Sequence, residues 1–99
     1  MNYRLTYDPQ VTESLVSAIS YYLSYHPDRA AAAFLALVDD AFVMPCKFPE
    51  AMPLDRVRAA DGSVARRVTV WHFIFIYRID SLAGELVVEK VFHERSGSA

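Results

Sequence analysis

Residues 64–79 read Val-Ala-Arg-Arg-Val-Thr-Val-Trp-His-Phe-Ile-Phe-Ile-Tyr-Arg-Ile, sixteen positions without a glycine or a proline. β-Branched and aromatic side chains dominate, so the stretch reads as strand. As a single strand it would run about 53 Å. A 99-residue domain should have a radius of gyration near ~13 Å. The stretch must therefore turn back on itself. Trp71-His72 is the place, because the pattern before it is mixed and the pattern after it is almost wholly apolar. Phe73, Phe75 and Tyr77 then share one face of a central strand and belong to the core.

Working outward from this hairpin, Ser81-Leu82-Ala83-Gly84 makes the next turn and residues 85–93 form the last strand. On the other side, residues 54–60 alternate, with Arg56 and Arg58 on one face and Val57 and Ala59 on the other. Asp61-Gly62 follows as a two-residue hairpin signal. Pro45, Pro49 and Pro53 exclude regular structure from residues 44–53, which read as a connecting loop. The tail, residues 94–99, is polar and expected to fray.

The first half is helical. Residues 3–7, Tyr-Arg-Leu-Thr-Tyr, alternate as a short strand, and Asp8-Pro9 then supplies an N-cap and a proline suited to the first helical position. Val11, Leu15, Ala18, Ile19, Tyr22 and Leu23 form one apolar stripe to about Tyr25. His26-Pro27-Asp28 breaks the chain, and Pro27 is able to open the next helix. Ala31, Phe34, Leu35, Val38, Ala41 and Phe42 supply that helix's buried face. The short break predicts an antiparallel hairpin. The order is β-α-α-β-β-β in one domain spanning residues 1–99. This is an α+β fold, with the helix hairpin on one face of a mainly antiparallel sheet that the first strand must join.

Composition excludes several classes. With 54 % hydrophobic and 22 % charged residues the chain is neither disordered nor collagenous. Its longest apolar run, residues 30–38, is about half of the ~18 residues a membrane span needs. The start, Met1-Asn2-Tyr3-Arg4, does not read as a signal peptide, so an intracellular location is expected. Cys46 stands alone, which rules out a disulfide framework and favours a structural role. Three glycines make no phosphate loop. No His/Asp/Glu spacing suggests a metal, and no cofactor is implied.

The net charge of −2 argues against bulk nucleic-acid electrostatics. The charge is unevenly placed, however. Residues 1–46 carry two basic and five acidic side chains, a net of −3, whereas residues 47–78 carry six basic and three acidic, a net of +3. The basic side chains Arg56, Arg58, Arg66, Arg67 and Arg78, with His93 and Arg95 near the end, are the candidates for contact with a partner or an anion. Arg66 and Arg67 are adjacent on a strand and point to opposite faces. Whichever faces inward needs a carboxylate such as Glu89, backbone carbonyls or an anionic ligand. His93 closes a strand, His72 sits at the turn, and His26 precedes a helix. Tyr21, Tyr22 and Tyr25 fringe the helix hairpin, where an amphipathic ring suits either packing or a half-exposed partner site.

In order along the chain come the strand ending in Tyr7-Asp8-Pro9, the amphipathic hairpin, the Phe48-Pro49-Glu50 loop and Arg66-Arg67-Val68-Thr69-Val70. After them come Phe73-Ile74-Phe75-Ile76-Tyr77-Arg78-Ile79 and Val91-Phe92-His93-Glu94-Arg95. This ordered set resembles the RelE/ParE superfamily of toxins from type II toxin–antitoxin systems. It stands closer to the ParE branch, which includes plasmid stabilisation proteins.

The resemblance implies a small cytoplasmic toxin held inactive by a cognate antitoxin. The antitoxin's disordered segment would fold on binding along the hairpin and sheet, with higher-order toxin–antitoxin oligomers as a further expectation. For the ParE branch it implies inhibition of DNA gyrase by binding, not by an enzymatic site of its own, and no membrane association. The alternative is a RelE-like ribosome-dependent mRNA endoribonuclease, with Arg66 stabilising developing phosphate charge and His93 carrying a proton. A degenerate antitoxin-binding protein without toxicity is the third reading. The apolar run from Phe73 to Ile76, Glu94 after His93 where cleaving relatives often carry tyrosine, and the net charge of −2 favour the gyrase reading.

Overall fold

A computed structural model describes residues 2–95. The expected frayed tail lies outside the described residues beyond Arg95. Strand β1 (Arg4–Tyr7) leads into a 3₁₀ turn at Pro9–Val11 and helix α1 (Thr12–Tyr25). The Asp8 carboxylate accepts from the Gln10 N–H at 3.0 Å, and Pro9 occupies a position whose N–H would have no partner.

Helix α2 (Ala31–Ala41) starts later than Pro27. The intervening turn closes through the Arg29 N–H to His26 C=O at 3.0 Å, and the Arg29 guanidinium donates to the Tyr22 hydroxyl at 2.6 Å. Phe34, Val38 and Phe42 are buried, with Leu37 and Ala41 packed beside them. Leu35, expected inward, is exposed, because an arc centred on positions 34, 38 and 42 leaves 35 at its rim.

Pro45 does not prevent helix. A short α3 (Val43–Lys47) contains it, in the first turn where backbone N–H groups have no intrahelical partner. Strands β2 (Arg66–Val70), β3 (Phe73–Asp80) and β4 (Glu85–His93) complete an α+β architecture. The sheet order is β1-β4-β3-β2, with β1 parallel to β4 and the other pairs antiparallel. The radius of gyration is 13.2 Å.

Residues 54–60 do not form the expected strand. Only Leu54 bridges to Arg66, and beyond it the Asp55 carboxylate turns the chain by accepting from the Val57 N–H at 3.3 Å. The Asp61-Gly62 turn itself is present, with Gly62 at φ 87°. It closes a loop that packs Ala59 and Ala65 against Ile74 and Ile76 on the sheet face away from the helices.

The hairpin between β2 and β3 turns at Trp71-His72. Trp71 has φ 54°, a left-handed backbone that a bulky side chain rarely adopts. Its ring touches those of Tyr22 (5.1 Å), Tyr21 and Tyr25 (5.9 Å each) and His26 (6.1 Å). These contacts hold the turn against α1. The main core lies between the helices and Val68, Val70, Phe73, Phe75, Tyr77, Leu86, Val88 and Val91.

Candidate functional site

Strand alternation sorts the candidate residues between two faces. Arg66 pairs with Tyr77 on the helix-covered face, while Arg67 pairs with Ile76 on the other. The inward arginine does not meet Glu89. Arg66 instead donates from Nη1 to the Met52 carbonyl at 2.7 Å, and its Nε is buried without a partner. Beside it the Tyr77 hydroxyl donates to Pro49 C=O at 2.7 Å, and burial pushes that phenol up to about 12. Both side chains tie the proline-rich segment to the sheet.

Glu89 belongs to Arg78. A register shift between Ile76 and Tyr77 leaves Glu89 as the extra residue of a β-bulge, between partners Val88 and Lys90. Its carboxylate, 5 % exposed, accepts from Arg78 Nε at 2.9 Å and from the Ala60 N–H at 3.0 Å. Asp61 and Asp80 lie 3.9 Å from the same guanidinium. Ser63, through hydroxyl and backbone N–H, holds the exposed Asp61 carboxyl below its ordinary range. Arg78 is thus committed to intramolecular partners. The sequence did carry a signal: polar Glu89-Lys90 between Val88 and Val91 breaks the period of two, as a bulge does.

Arg56 and Arg58 are exposed on the loop that Glu89 holds, and Arg58 donates to Gly62 C=O at 3.2 Å. With half-buried Arg67 and exposed Lys90 they place positive charge around Ile74, Ile76 and Phe92. None of these four cations forms an ion pair among the described residues. Ile74 and Ile76 are buried beneath Ala59 and Ala65 and Phe92 is half-buried, so this face presents chiefly positive charge, which suits an acidic segment.

His93 is elsewhere. It pairs with Phe73 on the helix-covered face, its ring 5.1 Å from Tyr21, 5.3 Å from Phe73 and 6.1 Å from His72. His93 Nδ1 accepts from the Arg95 N–H at 3.1 Å, and His72 lies 2.9 Å from the Glu94 carboxylate. Arg95 is exposed beside this ring cluster. Four residue steps along β3, about 13 Å of strand, separate Tyr77 beside Arg66 from Phe73 beside His93. The two are not brought together. The Tyr21 and Tyr25 hydroxyls share a hydrogen bond at 3.3 Å, which raises the Tyr21 phenol. That this aromatic cluster joins α1 to the hairpin turn had no local sign in the sequence.

Lone Cys46 is half-buried near Asp39, and both burial and that charge raise its thiol. A cavity of about 230 Å³ lined by Tyr3, Pro49, Glu50, Ser63, Val64, Ile79 and Ser81 is smaller than the ~300–1,000 Å³ usual for small-molecule sites. No helix among the described residues is long and apolar enough to cross a membrane. Residues 5–96 match the family described as the ParE toxin of the type II toxin-antitoxin system, parDE. No curated protein matches the chain.

Proposed function

Since the chain belongs to the ParE toxin family of type II toxin–antitoxin systems, we propose that it acts in the cytoplasm by binding DNA gyrase and is neutralised by its cognate antitoxin. The separation of Arg66 from His93 is the observation that carries the choice of target. A nuclease needs a proton carrier and a cation acting on one phosphate. Here the guanidinium is half-buried and donates to the Met52 carbonyl, and the imidazole packs against Tyr21 and Phe73. On the opposite face the apolar side chains are Ile74 and Ile76, buried beneath the loop, and half-buried Phe92, with no general acid or base among them.

Neutralisation uses that same face. An acidic amphipathic segment of the antitoxin docks beside half-buried Phe92 at the edge of the loop, while Arg56, Arg58, Arg67 and Lys90 steer and register it. The sheet's bulged centre and clamped loop fix where those charges stand. The cellular test is expression without antitoxin, following DNA breaks and mRNA ends together. Growth arrest with broken DNA and intact mRNA is expected. Arrest with newly cut, ribosome-associated mRNA and intact DNA overturns the target.

A further inference from the structure

We propose that Glu89 is a positioning residue, holding the loop of residues 53–65 so that Arg56 and Arg58 meet the antitoxin in a fixed geometry; this rests on the docking face proposed above. The loop has little regular structure to hold it. Its backbone bonds are few: Arg67 N–H to Pro53 C=O at 3.0 Å and Asp55 N–H to Ala65 C=O at 2.8 Å at its base, and Ala59 N–H to Ser63 C=O and Gly62 N–H to Ala59 C=O, both 2.9 Å, within its tip. Of these, none ties the loop tip to the body of the sheet. Glu89 does so, because one carboxylate oxygen accepts from Ala60 N–H in the loop and the other from Arg78 on β3.

Three features make this a clamp and not an incidental contact. The carboxylate is 5 % exposed, so both bonds are made where water competes poorly. The bulge exists at this residue alone in the β3–β4 ladder and turns its side chain toward the loop. Arg78 draws in a further loop carboxylate, Asp61, and Asp80 on its own strand. The clamped tip also brings Ala59 down on Ile74 and Ile76, covering apolar surface beside the docking face. A loop so held presents its two arginines already ordered, which removes part of the ordering cost of association.

The test compares the wild type with Glu89→Ala and Glu89→Gln. The glutamine keeps an oxygen for the Ala60 N–H but turns a donor NH2 to the Arg78 N–H, so it preserves the shape and the loop bond while removing the Arg78 bond, a milder change than alanine. Trypsin cleavage after Arg56 and Arg58 and amide exchange at Ala60 read the loop. A fluorescent peptide of the C-terminal segment of the antitoxin encoded beside this gene reads binding. Glu89→Ala should speed loop cleavage and Ala60 exchange roughly tenfold or more, with β3 amides still protected. Glu89→Gln should fall between. Arg56→Ala with Arg58→Ala should weaken peptide binding in the wild type and do so much less in the Glu89→Ala background. That non-additivity is what a merely structural role would not give. Unchanged cleavage and exchange overturn the clamp. A released loop with unchanged peptide affinity, while the arginine variants still bind weakly, overturns the positioning role. Arginine variants that bind like the wild type remove the docking face itself, and the proposal with it.

Discussion

Arg66 and His93 lie on the same face of the sheet but stand apart along the central strand, Arg66 beside Tyr77 near its middle and His93 beside Phe73 at its start. Each is engaged where it stands, Arg66 with the Met52 carbonyl and His93 with Tyr21 and Phe73. Several expected outcomes depend on this separation.

Arg66→Ala should act on stability. It removes a charged donor from a part-buried carbonyl and opens space beside Tyr77. A loss of about 1.5–3 kcal/mol is expected, read by urea denaturation, with toxicity retained per folded molecule. Lost toxicity at unchanged stability would make Arg66 a contact residue instead.

His93→Gln should leave growth arrest intact. It removes ring contacts with Tyr21 and Phe73, about 0.5–1.5 kcal/mol each, and the bond accepted from the Arg95 N–H. A variant that folds normally and no longer arrests growth would return the imidazole to the chemistry.

Trp71 inverts the ordinary ranking of alanine and glycine. Both substitutions lose the contacts to Tyr21, Tyr22 and Tyr25, so both destabilise by about 3 kcal/mol or more. At φ 54° only glycine also relieves the backbone, so Trp71→Gly should be the more stable by about 1 kcal/mol. Equal thermal midpoints for the two variants would show the turn to be unstrained.

Tyr7 and Tyr77 give the protein an alkaline limit. Burial pushes both phenols up to about 12, with Asp39 adding to the effect at Tyr7. In the unfolded chain they titrate near ~10, so between these values the folded state holds more protons. Their contribution is complete below pH ~10 and declines as pH rises toward 12. Denaturation midpoints should fall across that window, and tyrosinate absorbance of the folded protein should lag behind that of the unfolded chain.

Arg56→Ala combined with Arg58→Ala should leave stability within about 0.5 kcal/mol, since both side chains are exposed. Association with the antitoxin should slow, and its dependence on ionic strength should flatten. Stopped-flow binding at two salt concentrations checks both effects.

The legible parts of the fold were those set by local period. The stripe from Val11 to Leu23 and the breakpoint at Trp71-His72 needed no distant contact to be read. Residues 54–60 misled because the alternation is real but does not decide the conformation. The side chains of Asp55 and Asp61 turn the backbone, and Glu89, 29 positions from Ala60, holds the result. Pro45 misled for a different reason, since its effect depends on where a helix begins. For the site, the basic loop was visible in the charge count. The pairing of Glu89 with Arg78, and not with Arg66 or Arg67, was set by a bulge that shifts the register of one strand.

The most direct measurement adds the purified chain to gyrase, supercoiled plasmid and ATP, then denatures with detergent and digests protein. The account predicts linear DNA released from a trapped covalent complex, abolished by prior addition of the antitoxin. Intact plasmid at every toxin concentration, with the same preparation cutting mRNA on ribosomes, would contradict it.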